Sequence, residues 1–360
     1  MKKIVTILGA RPQFVKGAVL SRVIQKHKEV EEIIVHTGQH FDANMSAVFF
    51  EEMQIPKPKY NLNINGLNHG AMTGQMLEKI EEILLIEKPD AVVVYGDTNS
   101  TLAGALAAKK LQVKVVHIEA GLRSFNMQMP EEVNRILTDR IANLLSCPTE
   151  IAVSNLKNEG FDGFDILVEK HGDIMKDAVE FYSKVSKEKS TIISDLKLAK
   201  NEFVLATIHR QENTDDKEKL TNVFSALEEI NKTKQVILPL HPRTKKMLEK
   251  YHLQPNITFI DPVGYFSMLE LLKNCSMVIT DSGGLQKEAF FNKKFCVIAR
   301  EETEWKELEE NRYATISGTN TETLVNDFNQ FLTLDKSFTE ELYGNNVGEK
   351  IYQSIKKLIQ

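Results

Sequence analysis

Cysteine is scarce and poorly placed for cross-linking. The three cysteines of the 360-residue chain, Cys147, Cys275 and Cys296, show no paired spacing, which argues against a disulfide framework or a cysteine-rich zinc site and fits a reducing compartment. Long apolar runs are absent too: no segment reaches the about 18 uninterrupted apolar residues that a membrane span needs. The opening "MKKIVTILGARPQF" is basic and then apolar, but its run is β-branched and leads directly into the fold, unlike a cleaved signal. Clustered positive charge is also missing. The formal charge is −5, with Lys and Glu mixed along the surface segments, so the basic footprint of a nucleic-acid binder is lacking. There is no low-complexity tract and no repeat with a period of roughly 20–50 residues. These absences describe a soluble, cytoplasmic protein with neither a nucleic-acid nor a membrane partner.

What is present is an alternation. Short β-branched runs, "KIVTILG", "EIIVHTG", "AVVVYGD", "VKVVHIEAG" and "DILVEKHGD", alternate with helix-like stretches in the first half. "FVLATIHR", "QVILPLHP", "ITFIDPV", "MVITDSGG" and "FCVIAR" do so in the second. Runs apolar on both faces, separated by helices, are the pattern of parallel sheets covered on each side. The length exceeds one ordinary core. The chain therefore reads as α/β with two doubly wound, Rossmann-like domains: an N-terminal one over 1–172, a C-terminal one over 173–345, and an amphipathic terminal helix over 346–360 that could return to the first domain.

Polar residues follow nearly every run: Arg11 and Lys16, Gln39 and His40, Asp97, Glu119 and Arg123, His209 and Arg210, then Ser282 to Gly284 and Arg300 to Glu304. In open parallel sheets the ligand crevice lies beyond the carboxyl ends of the strands, so such residues converge. Two sheets facing each other would form one cleft. The stretch "VITDSGGLQKEAFF" is the clearest instance, because a strand ending at Asp281-Ser282-Gly283-Gly284 and re-entering a helix leaves backbone N–H groups where an anion would sit. Taken alone, that turn also reads as a plain helix cap. "HIEAG" contains the H-x-E of zinc deaminases but no P-C-x-x-C follows. "GARPQF" is neither a dinucleotide fingerprint nor a Walker sequence. No metal and no cofactor is expected.

The motifs "GARPQFVK", "TGQH", "VYGDTNSTLAGALAA", "HIEAGLRS", "PEEVNR", "HRQEN", "LPLHPR", "DPVGY" and "TDSGGLQKEA" together resemble those of the non-hydrolysing UDP-N-acetylglucosamine 2-epimerases, from about residue 3 to about residue 305. The resemblance implies a glycosyltransferase-B type fold, a UDP-sugar substrate, a homodimer and a role in surface polysaccharide synthesis. It implies Asp97, Glu119 and Glu131 as functional acids, with the division of base and acid left open, and Glu288 on the ribose hydroxyls. It also implies backbone contacts to uridine near Tyr265. His209 and Arg11 would assist the diphosphate held by Ser282, Gly283 and Gly284. Lys16 and Arg123 would orient sugar or carboxylates, while Gln39, His40, Arg210, Arg300 and Glu304 would line the substrate.

The expected reaction is inversion at C2. That C–H is not next to a carbonyl, because C1 is an acetal carbon, so simple deprotonation is prohibitively slow. Without a dinucleotide fingerprint, elimination of UDP to a glycal and re-addition is favoured over transient oxidation. Two departures bear on the substrate. Typical members read "TERPE" where this chain has Thr303-Glu304-Trp305-Lys306-Glu307, and Phe41-Asp42-Ala43-Asn44 replaces the usual Arg-Glu-Met after "QH". The first is similar to the branch acting on UDP-2,3-diacetamido-2,3-dideoxy-glucuronic acid. The second bears on whether the substrate-activation site of typical members is kept. A hydrolysing epimerase and a glycosyltransferase of the same fold are the competing readings.

Overall fold

In the computed structural model of the chain, residues 1–39, 50 and 53–360 are described. Its first sheet is built from β1 (Lys2–Leu8), β2 (Val30–His36), β3 (Tyr60–Asn61), β4 (Ala91–Tyr95), β5 (Lys114–Ile118), β6 (Leu144–Cys147) and β7 (Leu167–Lys170). Its second comprises β8 (Phe203–Thr207), β9 (Gln235–Pro239), β10 (Thr258–Ile260), β11 (Met277–Thr280), β12 (Cys296–Ile298) and β13 (Ala314–Ile316). The orders are β3-β2-β1-β4-β5-β6-β7 and β10-β9-β8-β11-β12-β13, and every recorded pairing is parallel. These are two parallel α/β units of the glycosyltransferase-B type.

The order reverses once in each sheet. After β3 the chain returns to β1 and continues on its other side through β4; after β10 it returns to β8 and continues through β11. A ligand crevice opens at such a switch, because the loops following the two central strands diverge to opposite faces. The architecture thus brings Gly9 to Gln13 beside Gly96 to Thr98 in the first unit, and Ile208 to Arg210 beside Asp281 to Gly284 in the second.

The central strands are apolar for the expected reason. All five residues of β4, AVVVY, and of β8, FVLAT, are buried. Val92 and Val94 share a core with Val5, Ile7, Ile80 and Leu145, while Val204, Leu238 and Ile279 belong to a second core with Leu220 and Phe328. Each such side chain contributes about 1.5–3 kcal/mol relative to exposure. Three strands absent from the sequence reading, β3, β6 and β13, are two to four residues long. Runs so short carry too few alternations to register as a period.

The compact units are Met1–Ala178 with Glu341–Gln360, and Val179–Glu340. The division falls inside the helix Ile174–Lys189, just past the break expected after residue 172. The helix Val347–Ile359 belongs to the first unit and buries Ile351, Tyr352, Ile355 and Ile359. Tyr352 stacks on His27 with centroids 4.6 Å apart, and His171 meets Ser146 Oγ and Ser354 Oγ, each at 2.9 Å. No helix among the described residues is long and apolar enough to cross a membrane.

Gly172, at φ +105°, makes this return possible: a Cβ there would lie 2.3 Å from the Tyr343 carbonyl oxygen. Gly172→Ala is expected to destabilise the protein by about 1–3 kcal/mol through strain and overlap with backbone. Urea unfolding measures this, and an unchanged midpoint would refute the close approach.

Candidate active site

In the first unit the site depends on the helix Pro130–Ile141. Pro130 starts it, with φ preset for the first turn, and residues three to four apart then line one face. Glu131 in the first turn is exposed. Glu132 is fully buried; its carboxylate accepts the Ser124 N–H (2.9 Å) and O–H (3.0 Å) and the Phe125 N–H (2.9 Å). Arg135 Nη1 donates to Glu132 at 3.0 Å, and its Nη2 donates to Asp97 Oδ2. Asn134 donates to the Asp97 carbonyl at 2.9 Å. One helical turn therefore fixes both the side chain and the backbone of Asp97.

Glu119 completes the cluster from β5. Its φ is +73°, a left-handed backbone that costs a non-glycine residue about 1–3 kcal/mol and is held by the Glu119 and Ala120 N–H groups, which both donate to the Ser146 carbonyl at 3.1 Å. The carboxylate sits beside Gly96, 3.3 Å from where a Cβ would be, and pairs with Lys16. Gly96 itself has φ +62°, so any side chain there would be both strained and crowded. The Asp97 carboxyl is shifted up from its ordinary value: burial is the largest cause and the Glu119 charge adds to it, against Arg135 and Lys16. Since 29% of its side-chain surface remains exposed, solvent moderates that shift. Arg11 opens the adjacent helix Arg11–His27. Gln39 accepts from Ser100 N (2.9 Å) and Oγ (2.7 Å) on the same rim.

In the second unit a buried carboxylate does the organising. Asp281, fully buried, accepts the N–H groups of His209 (3.0 Å) and Arg210 (2.9 Å) and the Asn213 amide (3.2 Å). The loop after β8 is thereby bound to the loop after β11. The helix Gly283–Phe291 starts at Ser282 with no side-chain capping bond, so its first amides and dipole face outward beside an exposed Gly284. Arg210 and Glu304 border Gly283: a Cβ there would lie 3.8 Å from Arg210 Nη2 and 3.2 Å from Glu304 Oε2. Arg300 forms a two-pronged pair with Glu304, both contacts at 3.1 Å. Burial pushes the Glu304 carboxyl up, but Arg300 and Arg210 outweigh it and keep it below its ordinary value. His209 keeps 38% of its side-chain surface exposed and lies 5.4 Å, ring to ring, from His241.

The chain as a whole has counterparts among known proteins. A family model described as UDP-N-acetylglucosamine 2-epimerase matches residues 22–356. The UDP-2,3-diacetamido-2,3-dideoxy-D-glucuronate 2-epimerase of Pseudomonas aeruginosa is 56% identical over 85% of each chain. The Methanocaldococcus jannaschii UDP-GlcNAc 2-epimerase, solved in complex with UDP-GlcNAc and UDP, superposes with a TM-score of 0.88 at 41% identity over 99% of both chains. The Neisseria meningitidis enzyme bound to UDP-GlcNAc gives 0.86 at 29% over 99% of this chain and 100% of that one. The chain belongs to the UDP-N-acetylglucosamine 2-epimerase family. It is therefore an isomerase.

Within this epimerase the structure gathers Lys16, Asp97 and Glu119 in one unit, and His209, Arg210, Ser282 to Gly284, Arg300 and Glu304 in the other. Glu288 is almost buried in the helix that follows the cradle. Tyr265 opens the helix Tyr265–Asn274 and meets Tyr182 edge-on, with centroids 5.7 Å apart. Arg123 is not brought to the acid cluster: its side chain is 1% exposed, and it donates to Asp139, Glu159 and the Leu122 carbonyl. Trp305 is 6% exposed, with its indole N–H on the Gly283 carbonyl at 3.0 Å. His40 and Phe41 to Asn44 lie outside the described residues. Among the described residues no His, Cys, Asp or Glu group has metal-holding geometry. Sequence reasoning missed Glu132, Asn134, Arg135 and Asp281. The signal for the first three was present as polar residues at helical spacing on a buried face.

The raised titration of Asp97 has a stability consequence. A carboxyl whose folded value lies above its unfolded one favours the folded state at low pH and loses that contribution as pH rises through the folded value. The difference in melting temperature between Asp97→Asn and wild type is therefore expected to move in favour of the variant as pH rises from acid to neutral. A difference that moved in favour of wild type over that range would contradict the environment described.

Proposed function

We propose that this enzyme inverts C2 of a UDP-N-acetylhexosamine, in the manner of UDP-GlcNAc to UDP-ManNAc, by expelling UDP across C1–C2 to a glycal and adding it back. The observation that carries the reading is the cluster of Asp97, Glu119, Lys16 and Arg135 within one unit. Glu119 is paired with Lys16 and Asp97 with Arg135, so the two carboxyls sit in different charge environments and between them supply the base and the acid. Removal and return of the C2 hydrogen need one carboxyl in each state. Glu131, exposed on the first turn of its helix, is the third acid. The turn at Ser282, Gly283 and Gly284, with Arg210, Arg11 and His209, stabilises the charge that develops on the departing diphosphate. Glu288 serves the ribose, and the segment at Tyr265 the uracil. Gln39, Arg300 and Glu304 line the substrate, with Arg123 supporting from within.

A second substrate, UDP-2,3-diacetamido-2,3-dideoxy-glucuronic acid, is favoured by the identity to the Pseudomonas aeruginosa enzyme and by Trp305 in the "TERPE" segment. Family resemblance alone supports a cytoplasmic homodimer acting in surface polysaccharide synthesis.

Offered each nucleotide sugar in deuterated water, the enzyme is expected to place deuterium at C2 of one of them and to retain UDP in the product, as followed by proton NMR. Turnover without label would remove the elimination route, and release of the free sugar would indicate a hydrolysing enzyme. A requirement for an acceptor would indicate a glycosyltransferase. Asp97→Asn and Glu131→Gln are each expected to lower turnover by about 10²-fold or more; normal rates in both would contradict their roles.

A further inference from the structure

The histidine of the H-x-E motif has no part in the function above, yet the structure spends unusual resources on it. His117 is fully buried at the end of β5. Its Nδ1 lies 2.7 Å from Asp139 Oδ1 and its Nε2 lies 2.7 Å from the Gly96 carbonyl oxygen. A carbonyl oxygen only accepts, so Nε2 must carry a proton. Asp139 also receives two N–H donors, from Gly121 N (3.1 Å) and from Arg123 Nη1 (2.7 Å). A carboxyl with that surrounding is an acceptor, so Nδ1 must carry a proton as well. Burial pushes the Asp139 carboxyl up, but the charges and hydrogen bonds of His117 and Arg123 hold it below the ordinary range. The ring is then an imidazolium, one link in an alternating series of His117, Asp139, Arg123 and Glu159 in which each buried charge has a partner of opposite sign.

We propose that His117 is a positioning residue for the acid cluster, its imidazolium fixing the Gly96 carbonyl and hence the turn that presents Asp97 next to Glu119. The proposal rests on the reading that Asp97 and Glu119 act at C2. Gly96 precedes Asp97 and donates its own N–H to the Ile118 carbonyl at 2.9 Å, so its peptide is held at both ends by consecutive residues of β5. Asp139 also ties in the Gly121 N–H, just beyond Glu119. One buried ion pair thereby sets the relative placement of two carboxylates on different loops. Neutralising the ring would leave either the Gly96 carbonyl or Asp139 without its donor, in a place water does not reach.

Three measurements test this. In wild-type enzyme carrying isotopically labelled histidine, NMR is expected to show one histidine with both ring N–H protons retained in slow exchange at neutral pH; absence of such a ring overturns the proposal without any variant. His117→Phe keeps the ring volume and removes both donors. It is expected to lower kcat by about 100-fold, the effect of an ångström-scale misplacement, while KM and the affinity for UDP, measured by isothermal titration, stay near wild type. His117→Gln, with one donor for the Gly96 carbonyl, is expected to recover part of the loss. A kcat near wild type in His117→Phe overturns the proposal. A parallel Asp97→Asn measurement separates the two levels: if that variant is inactive and His117→Phe is normal, only the role of His117 falls, whereas normal turnover in both removes the acid-cluster reading as well. If His117→Phe no longer binds UDP, the NMR result on the wild-type enzyme decides.

Discussion

A carboxylate at the end of a buried parallel strand requires a counter-charge, and the Arg135–Asp97 ion pair supplies it. The rest of the first unit's chemistry is arranged around that pair. Arg135 can reach Asp97 only because Glu132 holds its other prong, and Glu132 is available because it is sealed under the loop it clamps, through the amides of Ser124 and Phe125. Breaking one member of such a series leaves a buried charge uncompensated, which is more damaging than the pair's net contribution would suggest. The same helix carries Asn134 to the Asp97 carbonyl and Asp139 to His117. A single amphipathic element, with its polar face turned inward, therefore sets the geometry of loops from β4 and β5 at once.

The second unit uses the same device with the signs rearranged. There the buried acid, Asp281, has no guanidinium opposite it in its shortest contacts. It gathers backbone N–H groups from the neighbouring loop. The adjoining helix start is left without a side-chain cap, and the His209 ring stays near the same acid, its Nδ1 3.6 Å from Asp281 Oδ1. The helix start there presents amides oriented by the fold itself, the kind of arrangement in which electrostatic stabilisation is strongest.

Much of this was legible in the chain. The short β-branched runs announced the central strands, whereas the strand order that makes a switch point is set by pairings that no local run specifies. Glu131 and Glu132 show where reading stops. Adjacent glutamates are equivalent in sequence, but 100° apart on a helix; one faces solvent and the other is enclosed by Ser124, Phe125 and Arg135. Arg123 shows the converse. Its position in "EAGLRS" suggested a substrate contact, whereas its guanidinium turns inward to Asp139 and Glu159, partners distant in sequence that no local pattern reveals. Trp305, which departs from the "TERPE" of typical members, is packed against the first turn of the helix Gly283–Phe291.

The return of the helix Val347–Ile359 to the first unit makes the second unit an insertion within the first. During synthesis the whole of Val179–Glu340 leaves the ribosome before the element that covers His27 and His171 exists. The inserted unit can therefore close its own core while the host unit is still missing part of its surface, with the second ring nitrogen of His171 waiting for Ser354, 183 residues further on. The first unit is thus complete only once the last residues of the chain are available to it.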